Sequence, residues 1–536
     1  MRGAQVSRRA LLVGVAGGAS GLLLAACGGP SSDSPSAPVG TPATAANSPP
    51  KQGGTLRTGI VGDLASLDGQ QNLPQIAATV GNAYETLTRY DAKLQPQPIL
   101  AESWDVSGDT RTVKLSLRKG VLFHNGRELT SDDVVYSFNR LLDPKVAALV
   151  GPIGAQAAWW SSMTAPDKYT VILNSAVPRP GLFDFLQYAT IVDKDLMEGP
   201  DARTKVNGTG PFTFVEWAPG DHVMLAKNAN YWQSGVPYVD GLRTTIFKDA
   251  QAMAVQLESG AIDIAESPNL IDLVRLTADP KYQALVVTAN GSFVCFVANT
   301  TRPPMDNKLF RQAVNYAIDR KRFVQTVFKG IIDNDQDLPF ASASPAFDSA
   351  KNGQYTFDLD TARTLIQRSG VTNAEFDIVY SSTNFGDGNA SLAQIMQADL
   401  MSVGVKTYLR QLDSATYLDM TSKHSFAGGS LSVGTGAQVS EVTSFLTRSR
   451  YFSPDPTSSF SGLDNPTYRD RVAAAASEPD AVRRKALYAQ IDDVILDDSA
   501  FMTVSLYPTG SLALATVRGL AYDARPQLTY ASAWLN

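Results

Sequence analysis

Arg2, Arg8 and Arg9 stand before a stretch, Ala10 to Ala26, that carries no charged side chain and stops at Cys27. A basic start, a short apolar run and small residues at its close form the pattern of an export signal. Whatever folds must therefore lie after it. A spanning helix needs about 20 apolar residues, and Gly14, Gly17, Gly18, Ser20 and Gly21 interrupt this run, so a permanent transmembrane helix is the weaker reading. The string SRRALL, Ser7 to Leu12, resembles a twin-arginine signal, which implies export of an already folded chain.

Leu24-Ala25-Ala26-Cys27 resembles a bacterial lipobox, in which the cysteine thiol receives a diacylglyceryl group. On that reading residues 1–26 are removed, Cys27 carries lipid, and the protein is anchored to the cell membrane outside the cytoplasm without a spanning helix. Residues 28–52 are almost wholly Gly, Pro, Ser, Ala and Thr, with Asp33 and Lys51 the charged exceptions. Such a segment cannot bury a core, and its prolines favour extended conformations, so 27–52 reads as a tether. Residues 1–26 hold three arginines and no acid; without them 46 basic against 52 acidic side chains become 43 against 52, a net of −9. That balance does not suggest a nucleic-acid binder. The body from Gly53 to Asn536, 536 less 52 or 484 residues, is too long for one core and suits two or three lobes.

If Cys27 is acylated, Cys295 has no partner in the chain, and disulfides cannot hold this fold. Cys295 lies in SFVCFVAN, where apolar residues fill both alternating faces, as in a strand buried on both sides. Elsewhere strands alternate with helices. Phe376–Ser382 reads as a strand, Asn389–Val403 as an amphipathic helix stopped by Gly404, and Val405–Leu412 as the next strand, a βαβ unit of the α/β class. A helix is expected from a cap at Asp306 to a stop at Gly330, with Phe310, Ala313, Val314, Ala317 and Ile318 on its core face. Asp360 is placed to cap another that ends at Gly370, and Arg483–Leu496 reads as a third.

Several segments together resemble one family. YETLTRYDAKLQPQPILAESWDVSGD, followed by VKLSLRKGVLFHNGRELTSDDVVYSFNRLLDP, is similar to the peptide and nickel class (family 5) of substrate-binding proteins of ATP-driven (ABC) importers. So are GGTLRTG, NGTGPFTFVEW, NYW, LESGAIDIAE, LFRQAVNYAIDR and FSGLDNPTYRD, in order over the whole body. The resemblance implies a two-lobed periplasmic-binding-protein (Venus-flytrap, type II-like) fold with an extra inserted lobe. It implies an N-terminal lobe of 53–84, 205–290 and 503–536, an inserted lobe of 85–204 and a C-terminal lobe of 291–502. The crossings between lobes would be SFVCFVAN and the strand around Met502–Leu506. The expected partners are a peptide or small-molecule ligand and a membrane permease complex, with the protein itself a monomer. Oligosaccharides, other neutral solutes and a sensory role remain the alternatives.

Fold does not fix the ligand. In peptide-binding members a carboxylate of the C-terminal lobe pairs with the ligand's free amino group, a strong charge-assisted contact. The matching segment here is GTGAQVSEVTSFL; aligning Glu441, Thr443, Ser444, Phe445 and Leu446 puts Gln438 where the aspartate would stand. A second register through YFSPDP puts Phe452 there instead, so neither supplies the carboxylate. Either the ligand lacks an unblocked amine at this spot, or another acid such as Asp387 supplies the charge. Asn384, Phe385 and Asp387 lie in a Gly-rich loop after a strand, a place where binding residues often sit. Gly434, Thr435 and Gly436 would let bare backbone approach an extended ligand. Trp159 and Trp160 offer flat faces, but adjacent residues diverge, so one of them at most is expected to reach a ligand. Arg448 and Arg450 read as a solvated face.

An enzyme is the competing class. Gly-x-Ser-x-Gly spacing is missing from the sequence, and the three histidines, His124, His222 and His424, are far apart. Clustered metal ligands are missing too. No cofactor is expected.

Overall fold

The computed structural model describes residues 49–536 apart from 72, 92, 147–151, 203, 288–290, 333–335, 382–385, 435–440, 524 and 526. Two sheets dominate, as expected for a two-lobed α/β fold. The larger has seven strands in the order Tyr282–Val287, Thr509–Leu514, Ile264–Glu266, Thr55–Val61, Gly241–Phe247, His222–Lys227 and Phe212–Ala218. Thr55–Val61 pairs in parallel with Gly241–Phe247 and Ile264–Glu266. Parallel neighbours need crossovers, and one is the helix Ala250–Glu258, capped by the Asp249 carboxylate on the Ala252 N–H.

The second sheet has five strands, Lys406–Leu412, Glu375–Ser381, Gly428–Gly434, Phe293–Ala298 and Phe501–Leu506. Its first pair is the βαβ unit read from the sequence: Glu375–Ser381 runs parallel to Lys406–Leu412, with the helix Gly386–Ser402 between them. Every residue of Phe293–Ala298 is buried. Phe293, Cys295 and Val297 pack into one core with Phe445, Phe452 and Phe501, while Val294, Phe296 and Ala298 face another with Phe310, Ile378 and Leu392. Cys295 is thus a core residue, and burial pushes its thiol pKa up, the opposite of a reactive cysteine.

A third sheet, Ala101–Val106, Thr112–Leu117, Thr170–Asn174 and Ser162–Asp167, lies within 101–174 and has its own core of Leu115, Phe138, Phe185 and their neighbours. No helix among the described residues is long and apolar enough to cross a membrane.

The expected helix from Asp306 to Gly330 is broken. It starts at Lys308, capped by Asn307 on the Phe310 N–H, and ends at Tyr316. Asp319 then caps a new helix, Arg320–Phe323, which widens into a π turn at Val324–Phe328 before Lys329 takes a left-handed conformation. The apolar spacing continued through the break, but a second capping side chain offered the backbone an alternative. For the same reason Asp358, not Asp360, caps Leu359–Ser369, since it accepts from both the Asp360 and Thr361 N–H.

Candidate functional site

Two chain segments pass between the seven- and five-stranded sheets: one leaves Tyr282–Val287 for Phe293–Ala298, the other leaves Phe501–Leu506 for Thr509–Leu514. They meet at the five-stranded end, where the Tyr507 N–H donates to the Ser292 carbonyl at 2.8 Å. The Tyr507 ring meets Phe328 edge-on at 6.1 Å. Two adjacent crossings leave few dihedrals to absorb a rotation, which is the geometry of a hinge.

A separate polar cluster surrounds a buried carboxylate, Glu85. The Glu85 carboxylate is 4% exposed and accepts from the Thr209 hydroxyl at 2.8 Å, the Tyr231 hydroxyl at 2.8 Å and the Trp232 indole N–H at 3.1 Å. Burial drives its pKa up, opposed by those three donors. Nearby, burial would raise the Asp523 carboxyl too, but Arg525 and Arg89 outweigh it and hold it low. Arg525 donates to a single oxygen, Asp523 Oδ2, through both Nη2 at 2.7 Å and Nε at 2.9 Å. Between these groups lies a cavity of about 60 Å³ lined by Gln70, Gln71, Glu85, Tyr188, Arg525 and Gln527. It has room for a water or two, well short of the ~300 Å³ that encloses a small ligand.

The five-stranded side meets this region through helix Val442–Arg448, whose N-cap is Glu441. The Asp184 carboxylate accepts from the Glu441 N–H at 3.1 Å and from the Tyr90 hydroxyl at 2.9 Å. Arg448 faces outward yet is partly stripped of water, which draws its pKa down against the pull of Asp184. Beside it is an open depression of about 300 Å³ lined by Ser422, Thr447, Arg448, Ser449, Arg450 and Thr457. The solvated face expected for the two arginines is thus concave.

The sequence candidates fall in different places. Gly434 ends the strand Gly428–Gly434, where a Cβ would lie 2.2 Å from Cζ of Phe293, so the absence of a side chain is enforced by the neighbouring strand. Thr435, Gly436 and Gln438, directly after it, lie outside the described residues, as do Asn384, Phe385 and Cys27. Asp387 belongs to the first turn of the helix Gly386–Ser402. Trp160 is 6% exposed in the core of the four-stranded part, 5.9 Å from Phe185. Trp159 is half-buried, with the Arg179 guanidinium 5.0 Å over its ring. Phe452, the alternative register, is fully buried against Phe293, which leaves it no room to meet a ligand.

Sequence reasoning missed Asp184, Tyr188 and Arg525. No local pattern marks them: Asp184 meets Glu441 from far along the chain, and Tyr188 and Arg525 line one cavity with Gln70 and Gln71. Glu441 served as an alignment anchor, and its spacing to Thr443 and Ser444 is the signature of a cap.

Residues 95–451 match the bacterial extracellular solute-binding proteins, family 5. The chain belongs to that family. Heme-binding protein A of Haemophilus influenzae is 30% identical over 339 residues, 58% of this chain and 61% of its own length. Di/tripeptide-binding protein 2 of Pseudomonas aeruginosa is 29% identical over 350 residues, 59% of this chain and 63% of its own length. This family-5 chain thus spans less than two thirds of either relative. The solved structure of HbpA2 from Haemophilus parasuis superposes with a TM-score of 0.78 at 23% identity, over 90% of this chain and all of that one. That likeness carries the two-lobed fold.

Proposed function

We propose that this family-5 protein is an extracytoplasmic substrate-binding lipoprotein of an ABC importer, which captures an oligopeptide-like solute between its lobes and presents it to a permease. The observation that carries the reading is the pair of adjacent crossings between the two main sheets. A ligand that binds the closed arrangement better than the open one shifts the equilibrium by its differential affinity, so capture and signalling to a permease follow from one motion without chemistry. The lobes on this reading are 53–84, 205–290 and 503–536 for the N-terminal one, 85–204 for the inserted one and 291–502 for the C-terminal one, with the second boundary moved from 502 to Tyr507 because the strand Phe501–Leu506 lies wholly in the five-stranded sheet. The protein acts as a monomer, and the lipid on Cys27 holds it at the membrane.

A relative named for di- and tripeptides supports a peptide. Gln438, standing where peptide binders carry an acid, favours a ligand whose amine is blocked, or a neutral solute such as an oligosaccharide. Native mass spectrometry of the protein purified from its own host tests the capture reading. A co-purified peptide mass is expected; a sugar mass moves the assignment to the neutral solute, and a folded protein that carries no solute and takes up none argues against capture.

A further inference from the structure

Asp184 is fully buried, yet its carboxylate belongs to one lobe and one of its partners to another. It sits on the helix Leu182–Tyr188, whose Leu182, Phe185 and Leu186 pack in the core of the four-stranded part. Its Oδ2 accepts from the backbone N–H of Glu441, which caps the helix Val442–Arg448 in a core of the five-stranded part. Glu441 is committed to that helix: its oxygens accept from the Thr443 and Ser444 N–H and from the Tyr488 hydroxyl at 2.9 Å. The direction of the N–H offered to Asp184 is therefore set by the cap.

Gly181 makes the approach possible. A Cβ there would lie 2.8 Å from Cβ of Glu441 and 3.0 Å from Oδ2 of Asp184. Its φ of −84° is open to any residue, so the backbone does not need glycine at this position; the facing lobe does.

We propose that Gly181, Asp184 and Glu441 form a closure latch between the inserted and C-terminal lobes that holds the closed arrangement without contacting ligand. Asp184 is then a positioning residue that sets how long a solute stays. When the lobes part, Asp184 exchanges the Glu441 N–H for water, so the latch stabilises closed forms with and without ligand alike. The inference rests on the two-lobed fold and not on which solute is bound.

The test compares the purified full chain with Gly181→Ala, Asp184→Ala and Asp184→Asn, by small-angle scattering without ligand and by stopped-flow binding of N-acetyl-trialanine. Gly181→Ala and Asp184→Ala are expected to have a larger unliganded radius of gyration than the wild type. Their N-acetyl-trialanine dissociation should be roughly tenfold faster, the scale of one lost hydrogen bond to a charged group. Association should hold or quicken, because the open form is more populated; a merely damaged fold would instead bind less. Asp184→Asn keeps an acceptor oxygen but not the charge and should fall between the wild type and Asp184→Ala. An unchanged radius of gyration in both Gly181→Ala and Asp184→Ala overturns the latch. If N-acetyl-trialanine fails to bind the wild type, the blocked-peptide reading fails and scattering alone decides the latch.

Discussion

Asp492 gives a sharp test of the packing. It lies on the helix Ala481–Asp498, is fully buried, and neither carboxylate oxygen has a hydrogen-bond partner among the described residues. Lys351 is near but is held by Asp493 and the Ala489 carbonyl. Burial pushes the Asp492 carboxyl from 3.8 up to about 8. The folded state therefore binds a proton that the unfolded state, titrating near 3.9, has released. Stability must then fall as pH rises from about 4 to about 8. At ~1.4 kcal/mol per unit, the loss between pH 5 and pH 8 is about 4 kcal/mol. Asp492→Asn is close in shape and neutral throughout. The two proteins should be similarly stable only near pH 4 and below, and between pH 5 and pH 8 the advantage of the variant should grow by about that amount. Glu266, pushed up to about 8 by burial, adds a slope of the same sign to both proteins and cancels in the difference. Guanidinium unfolding at the two pH values reads it out. Parallel pH dependence in the two proteins would refute the argument, because Asp492 would then have to be ionised and paired.

Three further outcomes are expected. Gly434→Ala should destabilise by about 1–3 kcal/mol, the usual cost of overpacking, because its methyl would enter the Phe293 ring; an unchanged melting temperature would show that the strand end yields freely. Gln438→Asp should raise affinity for free-amine peptides strongly over their N-acetylated forms in calorimetric titration; no change would remove Gln438 from the amine position. Cys27→Ser should move the protein from the membrane fraction to the soluble one, and retention at the membrane would mean that the anchor lies elsewhere.

Much of the fold was legible because it is written in local pattern. The apolar run Phe293–Ala298 in SFVCFVAN reads as a strand covered on both faces, and it is one. The βαβ unit at 375–412 shows a change of period from two to helical and back. The broken helix after Tyr316 was not legible, since Asp319 competes with an apolar face that continues through it. The site was less legible still. Asp184 meets a residue 257 positions away, and Arg525 lines a cavity with Gln70 and Gln71 from the other end of the chain. Contacts of that separation leave no periodicity to read. Gly434 shows the middle case: the sequence marked it as a place of close approach, and the structure shows that its neighbour there is Phe293.

The central claim, that the lobes close on a solute, is tested most directly by thermal-shift titration of the purified protein with free peptides, N-acetylated peptides and oligosaccharides. A ligand present at 100 times its dissociation constant should add about 2.7 kcal/mol of stability, and the account predicts that N-acetylated peptides or sugars achieve this while free peptides do not. Stabilisation by free peptides alone would contradict the vacancy at Gln438, and no stabilisation by any of the three would contradict capture itself.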